Sequence, residues 1–173
     1  FLFYFLGSFY RYLIILFNIN FSINQKIYKF GPFKIHSLFA FSNFQDWGFK
    51  NEFFFNHMMK DARNKKCIID IGSHIGLMTL PFSKCVKKHS LIYSFEPSKI
   101  NFFYLSYHIN SNDIKNVNLI NKLVGEKNKN KSVFYESPQP TGMNSILMLK
   151  KKNITFKKKY REVVTLDYFV KKQ

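Results

Sequence analysis

CIIDIGSHIGLMTLPFSKCVKKHSLIYSFEP, Cys67 to Pro97, is the stretch on which the fold turns. Cys67-Ile68-Ile69 is a short apolar, partly β-branched run, suited to a buried strand. Asp70 stands where that strand ends, and Gly72 and Gly76 follow with Ser73, His74 and Ile75 between them. From Ile75 to Lys87 apolar residues recur at helical spacing, and Leu91 to Phe95 reads as a second strand closed by Glu96-Pro97. Strand, glycine turn, helix, strand and acid make a βαβ unit with a ligand crevice at the strand ends. Gly72 can take a backbone conformation closed to other residues and lets the main chain approach a ligand. Gly76, read as the helix start, keeps helix and strand close.

Glu96 lies a little over twenty residues beyond the turn, where an acid can accept hydrogen bonds from both hydroxyls of a ribose. That favours an adenosine cofactor. The pattern D-x-G-x-x-x-G lacks the middle glycine that opens a dinucleotide turn to pyrophosphate, and no Gly-Lys-Ser/Thr follows as in a P-loop. S-adenosylmethionine carries a sulfonium and an ammonium instead of phosphates, so acids such as Asp70 and Glu96 suit it.

Asp70–Gly76 (DIGSHIG) and Tyr93–Leu105 (YSFEPSKINFFYL) resemble motif I and the second-strand acid of class I S-adenosylmethionine-dependent methyltransferases. More narrowly they resemble the FkbM family, with its D-x-G-A-N-x-G turn and F-E-P. The likeness continues through Asn101–Asn110, Val117–Gly125 and the V-x-T-L-D-like Val163–Asp167, in register over about residues 60–172. Ser73 and His74 stand where the family has Ala-Asn. The resemblance implies an α/β, Rossmann-like class I methyltransferase sheet of about seven strands with helices on both faces. It implies that Asp70, Gly72 and Gly76 hold the methionine end of S-adenosylmethionine and Glu96 the ribose, with Ser73 and His74 of the same turn as further cofactor-binding residues. Asn121 and Val124, after the third strand, are adenine candidates by position. The family's K-x-D-x-E-G-x-E segment is absent before Gln173, and the chain opens on Phe1, so a fragment open at both ends is expected.

A formal charge of +17, from 27 Lys and Arg against 10 Asp and Glu, raises a nucleic-acid or anionic-membrane partner. The lysines are scattered and arginine, the usual reader of bases, is rare. The excess follows the bias of an AT-rich coding sequence, and no nucleic-acid partner is expected. Cys67 and Cys85 lack metal spacing and read as buried reduced thiols of a cytoplasmic protein, with no metal site.

The expected organisation is a hydrophobic helix and loop over 1–24, then a methyltransferase domain with an N-terminal extension over 25–173. Phe1–Phe17 is apolar and aromatic, but Arg11 interrupts it and it falls short of the ~20 residues of a spanning helix. A helix packed on the domain or lying at a membrane interface is preferred to the end of an anchor, so peripheral membrane contact through residues 1–17 is a candidate. Asn18–Asn24 reads as a loop, and Lys26–Phe41 as a hairpin turning at Gly31-Pro32. Phe49–Arg63 reads as one helix; Asp46, Trp47 and His57 near it are candidates to border the substrate pocket, with a surface or packing role preferred for each. Ser98 reads as an N-cap, with Ile100, Phe103, Tyr104 and Tyr107 as the packing stripe of its helix. Lys150–Lys152 and Lys157–Lys159 read as a charged edge hairpin.

The expected activity is O-methylation of a hydroxyl on a sugar, glycolipid or other small metabolite, the acceptor class that the resemblance implies. Methyl transfer asks mainly for positioning and desolvation. No catalytic base is assigned; His36, His57 and His74 are equal candidates. The rival readings are a non-catalytic basic module binding nucleic acid or a membrane surface, and another Rossmann-type enzyme such as an NAD-dependent dehydrogenase.

Overall fold

The computed structural model describes residues 2–148 and 155–173. Helix α1 (Leu2–Leu16) leads into strands β1 (Ser22–Ile27) and β2 (Phe30–His36), a 3-10 turn over Ser37–Phe39, and helices α2 (Phe44–Lys50) and α3 (Glu52–Ala62). The βαβαβ segment follows: β3 (Cys67–Ile71), α4 (Thr79–Cys85), β4 (Leu91–Phe95), α5 (Lys99–Ser111) and β5 (Val117–Ile120). Then come β6 (Leu123–Val124), β7 (Lys129–Glu136), β8 (Lys157–Val164) and α6 (Leu166–Val170).

Strands β3, β4 and β5 form a parallel sheet in that order. Successive side chains of a strand face opposite ways. On β4, Ser94 meets Thr79 of α4, whereas Tyr93 and Phe95 stack edge-on against Phe169 of α6. Helices therefore cover both faces, as expected of a Rossmann-like α/β sheet. A second, separate sheet is ordered β6-β8-β7, so the described strands make two three-stranded sheets and not one sheet of about seven, and β1 and β2 form an antiparallel hairpin. One apolar cluster runs from Ile14 of α1 through Phe33, Ile35 and Phe55 to Ile92, Leu105 and Ile109.

Local expectations are corrected at several places. The hairpin starts at Ser22, inside the expected loop, and turns at Tyr28-Lys29; Gly31-Pro32 lies within β2. The expected single helix over 49–63 is two, broken at Asn51, whose N–H still bonds back to Gly48 O and Phe49 O. Helix α4 begins at Thr79, and residues 74–78 are turn. Helix α5 buries Asn101, Leu105, His108 and Ile109, while Phe103 of the expected stripe is 54% exposed. Cys67 is exposed, not buried, because it is the first residue of β3. Lys157–Lys159 open β8 and pair with β7; Lys150–Lys152 lie outside the described residues.

Candidate active site

The site begins where β3 ends. The N–H groups of Gly72 and Ser73 both donate to Phe95 O, at 2.9 and 3.0 Å, which ties the turn to the end of β4. The turn requires left-handed backbone at three places: Gly72 at φ +79°, His74 at +52° and Gly76 at +98°. No heavy atom lies within 4 Å of where a Cβ on Gly72 would stand, so bare main chain faces open space there. A Cβ on Gly76 would stand 3.0 Å from Leu105 Cδ1, so this glycine lets the turn approach α5.

Asp70 turns inward. Thr79 Oγ1 donates to its Oδ2 at 2.6 Å, and with that proton committed, Ser94 Oγ donates to Thr79 at 3.1 Å. Ser73 Oγ donates to the Asp70 carbonyl at 3.0 Å. Burial pushes the Asp70 carboxyl above its ordinary range, against the opposing effect of these hydroxyls.

Glu96 is 4% exposed and is held from two directions. Its Oε2 accepts from His74 N at 2.8 Å; its Oε1 accepts from Ser98 N at 2.8 Å and from Asn101 Nδ2 at 3.4 Å. Burial raises its pKa, and these donors partly restrain the rise. Asn121 Nδ2 donates to the Glu96 carbonyl at 2.7 Å. Behind them, Arg161 of β8 donates to Pro97 O at 2.6 Å and pairs with the buried Glu136 of β7.

These elements enclose a cavity of about 230 Å³. Gly72, His74, Glu96 and Val124 line it, with Phe95, Leu123 and Phe134 as apolar wall. Asp70, Ser73, Gly76 and Asn121 do not line it; they stand behind and fix the turn and the acid. The cavity is below the ~300–1,000 Å³ usual for ligand sites. It shares His74, however, with a second cavity of about 530 Å³. The donor set fits an adenosine group. Glu96 Oε2, which accepts from His74 N alone, keeps acceptor capacity for a hydroxyl, the apolar wall suits a flat ring, and the open space at Gly72 is a cradle that a Cβ would fill.

No family model and no curated protein matches the chain. Solved structures match over part of it. TYW2 of M. jannaschii, in complex with AdoMet, is 22% identical with a TM-score of 0.42, covering 57% of this chain and 45% of that one. TYW2 of P. horikoshii, in complex with MeSAdo, is 14% identical with a TM-score of 0.42, covering 66% and 47%. Trm5b of Pyrococcus abyssi is 15% identical with a TM-score of 0.41, covering 62% and 34%. The chain thus spans less than half the length of each of these structures.

The three candidate histidines separate sharply. His36 is buried, with Nδ1 accepting from Leu38 N at 3.0 Å and Nε2 donating to Asn20 Oδ1 at 2.9 Å. His57 is exposed on α3 beside Asp61 and lines neither cavity. Asp46 bonds Asn43 and Trp47 stacks edge-on against Phe55, both away from these cavities. His74 lines both cavities; its Nε2 is buried with no partner among the described residues, and burial lowers its pKa to about 4. It is neutral at physiological pH. No cluster of three metal-ligating side chains occurs among the described residues.

Sequence reading missed the supports. His108 is fully buried: Nε2 accepts from His36 N at 3.0 Å and Nδ1 donates to Ile75 O at 2.8 Å. Asn101 joins Glu96 to the Thr141 carbonyl at 3.0 Å. Both share the α5 face of Leu105, and two polar residues on one apolar helical face were the available signal. Arg161 and Glu136 are far apart in sequence, and nothing local announces the pair.

Proposed function

We propose that the chain is an S-adenosylmethionine-dependent methyltransferase of the FkbM type, acting on a hydroxyl of a sugar, glycolipid or other small metabolite. One observation carries the reading: the glycine turn and the strand-end acid are joined through His74 N and Glu96 Oε2, and both face one cavity. When bound, the cofactor supplies a methyl group already activated on a sulfonium. Glu96 accepts the ribose hydroxyls, the bare backbone at Gly72 admits the ligand, and Leu123, Val124 and Phe134 exclude water from the base. Asp70 acts through Thr79 and Ser94 to hold the turn. The reaction needs no protein nucleophile, so positioning and desolvation are the chain's main contribution.

Photocrosslinking with radiolabelled S-adenosylmethionine tests the reading. Label on the folded chain that S-adenosylhomocysteine competes away, and NAD does not, is the expected result. Competition by NAD alone would point to the dehydrogenase reading, and absence of label would remove the methyltransferase reading.

Peripheral membrane contact belongs to the same proposal and rests on α1. Leu6, Phe9, Tyr12, Ile15, Leu16 and Phe17 are exposed by 46 to 66%. No described helix is long and apolar enough to cross a membrane. An exposed aromatic face on a chain of charge +17 suits an anionic interface. Cosedimentation with phosphatidylglycerol vesicles, reduced by Phe9→Ser with Phe17→Ser, is expected; equal recovery with and without vesicles would refute it.

A further inference from the structure

The second cavity, about 530 Å³, lies between α1, the 3-10 turn and the glycine turn. It shares one lining residue, His74, with the cofactor cavity. Its walls are largely apolar, with Ile15, Leu38, Phe39 and Ile75 among them. Arg11 also lines it; it is exposed, is the only charged residue of α1, and its side chain has no hydrogen bond or ion pair among the described residues. An exposed arginine that lines an apolar cavity with no carboxylate partner among the described residues is free to receive an anionic group.

We infer that this second cavity holds the methyl acceptor, and that the acceptor is an amphiphile: an apolar chain carrying a hydroxyl and an acidic group, the acid on Arg11 and the hydroxyl toward His74 Nε2. This rests on the methyltransferase reading and narrows its substrate class. The geometry supports it in three ways. His74, whose Nε2 is buried with no partner among the described residues, is the residue common to both cavities, where an acceptor hydroxyl has to meet the cofactor. The second cavity is more than twice the volume of the first, so it has room for an apolar chain. Its floor, Ile75, belongs to the glycine turn itself and is 1% exposed, with its carbonyl held by His108, so the acceptor would be read against a fixed surface. In the transfer the acceptor oxygen gains the methyl carbon, the S–CH3 bond breaks with its electron pair left on a neutral thioether, and the hydroxyl proton passes to solvent water.

The test is calorimetric binding of 3-hydroxydecanoate to the full chain, in the presence and absence of saturating S-adenosylhomocysteine, with the methyl ester of the same acid as the neutral probe. S-adenosylhomocysteine is titrated first. If it binds nowhere, the methyltransferase reading fails and this inference with it. Given that it binds, the acid is expected to bind alongside it and at least tenfold more tightly than the ester. Arg11→Ala is expected to erase the difference between acid and ester, Arg11→Lys to keep most of it, and neither to alter S-adenosylhomocysteine affinity by more than twofold. Arg11 is exposed, so both variants keep the fold. Competition between the acid and S-adenosylhomocysteine, loss of S-adenosylhomocysteine binding in Arg11→Ala, or equal binding of acid and ester would each overturn the inference and leave the cofactor site standing.

Discussion

Glu96 is held by backbone and side-chain donors before any ligand arrives, and this preorganisation sets what substitutions there should do. Its three donors come from the turn, from the N-terminus of α5 and from Asn101. A hydroxyl reaching it meets an acceptor whose geometry is already fixed. Gly72 is the complementary residue, with a positive φ and open space on its ligand side. Gly72→Ala is expected to cost about 1–2 kcal/mol of stability, the penalty of left-handed backbone for a β-carbon. It should also weaken S-adenosylhomocysteine binding, because the added methyl projects into the cradle. Urea unfolding and calorimetry read the two effects separately. A stable variant with full affinity would mean that Gly72 does not approach the ligand.

Among the elements, β8 is the one whose contribution to the site was least visible beforehand. Its Arg161 spans from the Pro97 carbonyl to the carboxylate of Glu136 on β7, so the second sheet braces the segment that carries Glu96. Both charged groups are more than nine-tenths buried. Arg161→Met leaves the Glu136 carboxylate buried without its countercharge and is expected to cost about 3–5 kcal/mol, measured by urea denaturation. A loss under 1 kcal/mol would show that the pair is not structural. The βαβ unit itself was legible, because β3, the glycine turn, β4 and the Ser98 cap are all written in local periodicity and turn chemistry. The roles of Asp70 and His74 were not. Asp70 looks like a ligand-facing acid, yet its partner is Thr79, nine residues on, and only the turn's path brings them together. The α5 stripe was misassigned for a related reason: His108 and Asn101 are polar and were not counted as buried, although each has its hydrogen bonds satisfied inside.

At the scale of the molecule, His108 joins the hairpin to the sheet, with His36 on one ring nitrogen and the glycine turn on the other. His108→Ala removes both bonds and opens a cavity, an expected loss of about 2–4 kcal/mol at neutral pH. The same burial gives stability a pH dependence. Burial lowers the pKa of His74 and His108 to about 4 each and lowers His36 as well. The unfolded chain therefore binds more protons than the folded one between the ordinary histidine value of 6.5 and about 4, and stability falls as pH drops through that window. Asp70 and Glu96, raised by burial, act in the opposite sense: the folded state protonates them first, so they favour folding as pH falls. The histidines should prevail in the upper part of the window. The expected record is a melting temperature that declines as pH falls below about 6.5, with a smaller decline in His108→Ala; a flat profile would contradict neutral, buried histidines.

The most direct test of the central claim, that the turn and Glu96 together form an adenosine-cofactor cavity, is calorimetric titration of S-adenosylhomocysteine into the chain and into Glu96→Gln. Glutamine keeps one acceptor oxygen and the side-chain shape but removes the charge. Expected are binding by the parent chain, a loss of about tenfold to a hundredfold in the variant, and matching far-ultraviolet circular dichroism for the two. Equal affinity in the two chains, or no binding by a folded parent chain, would contradict the claim.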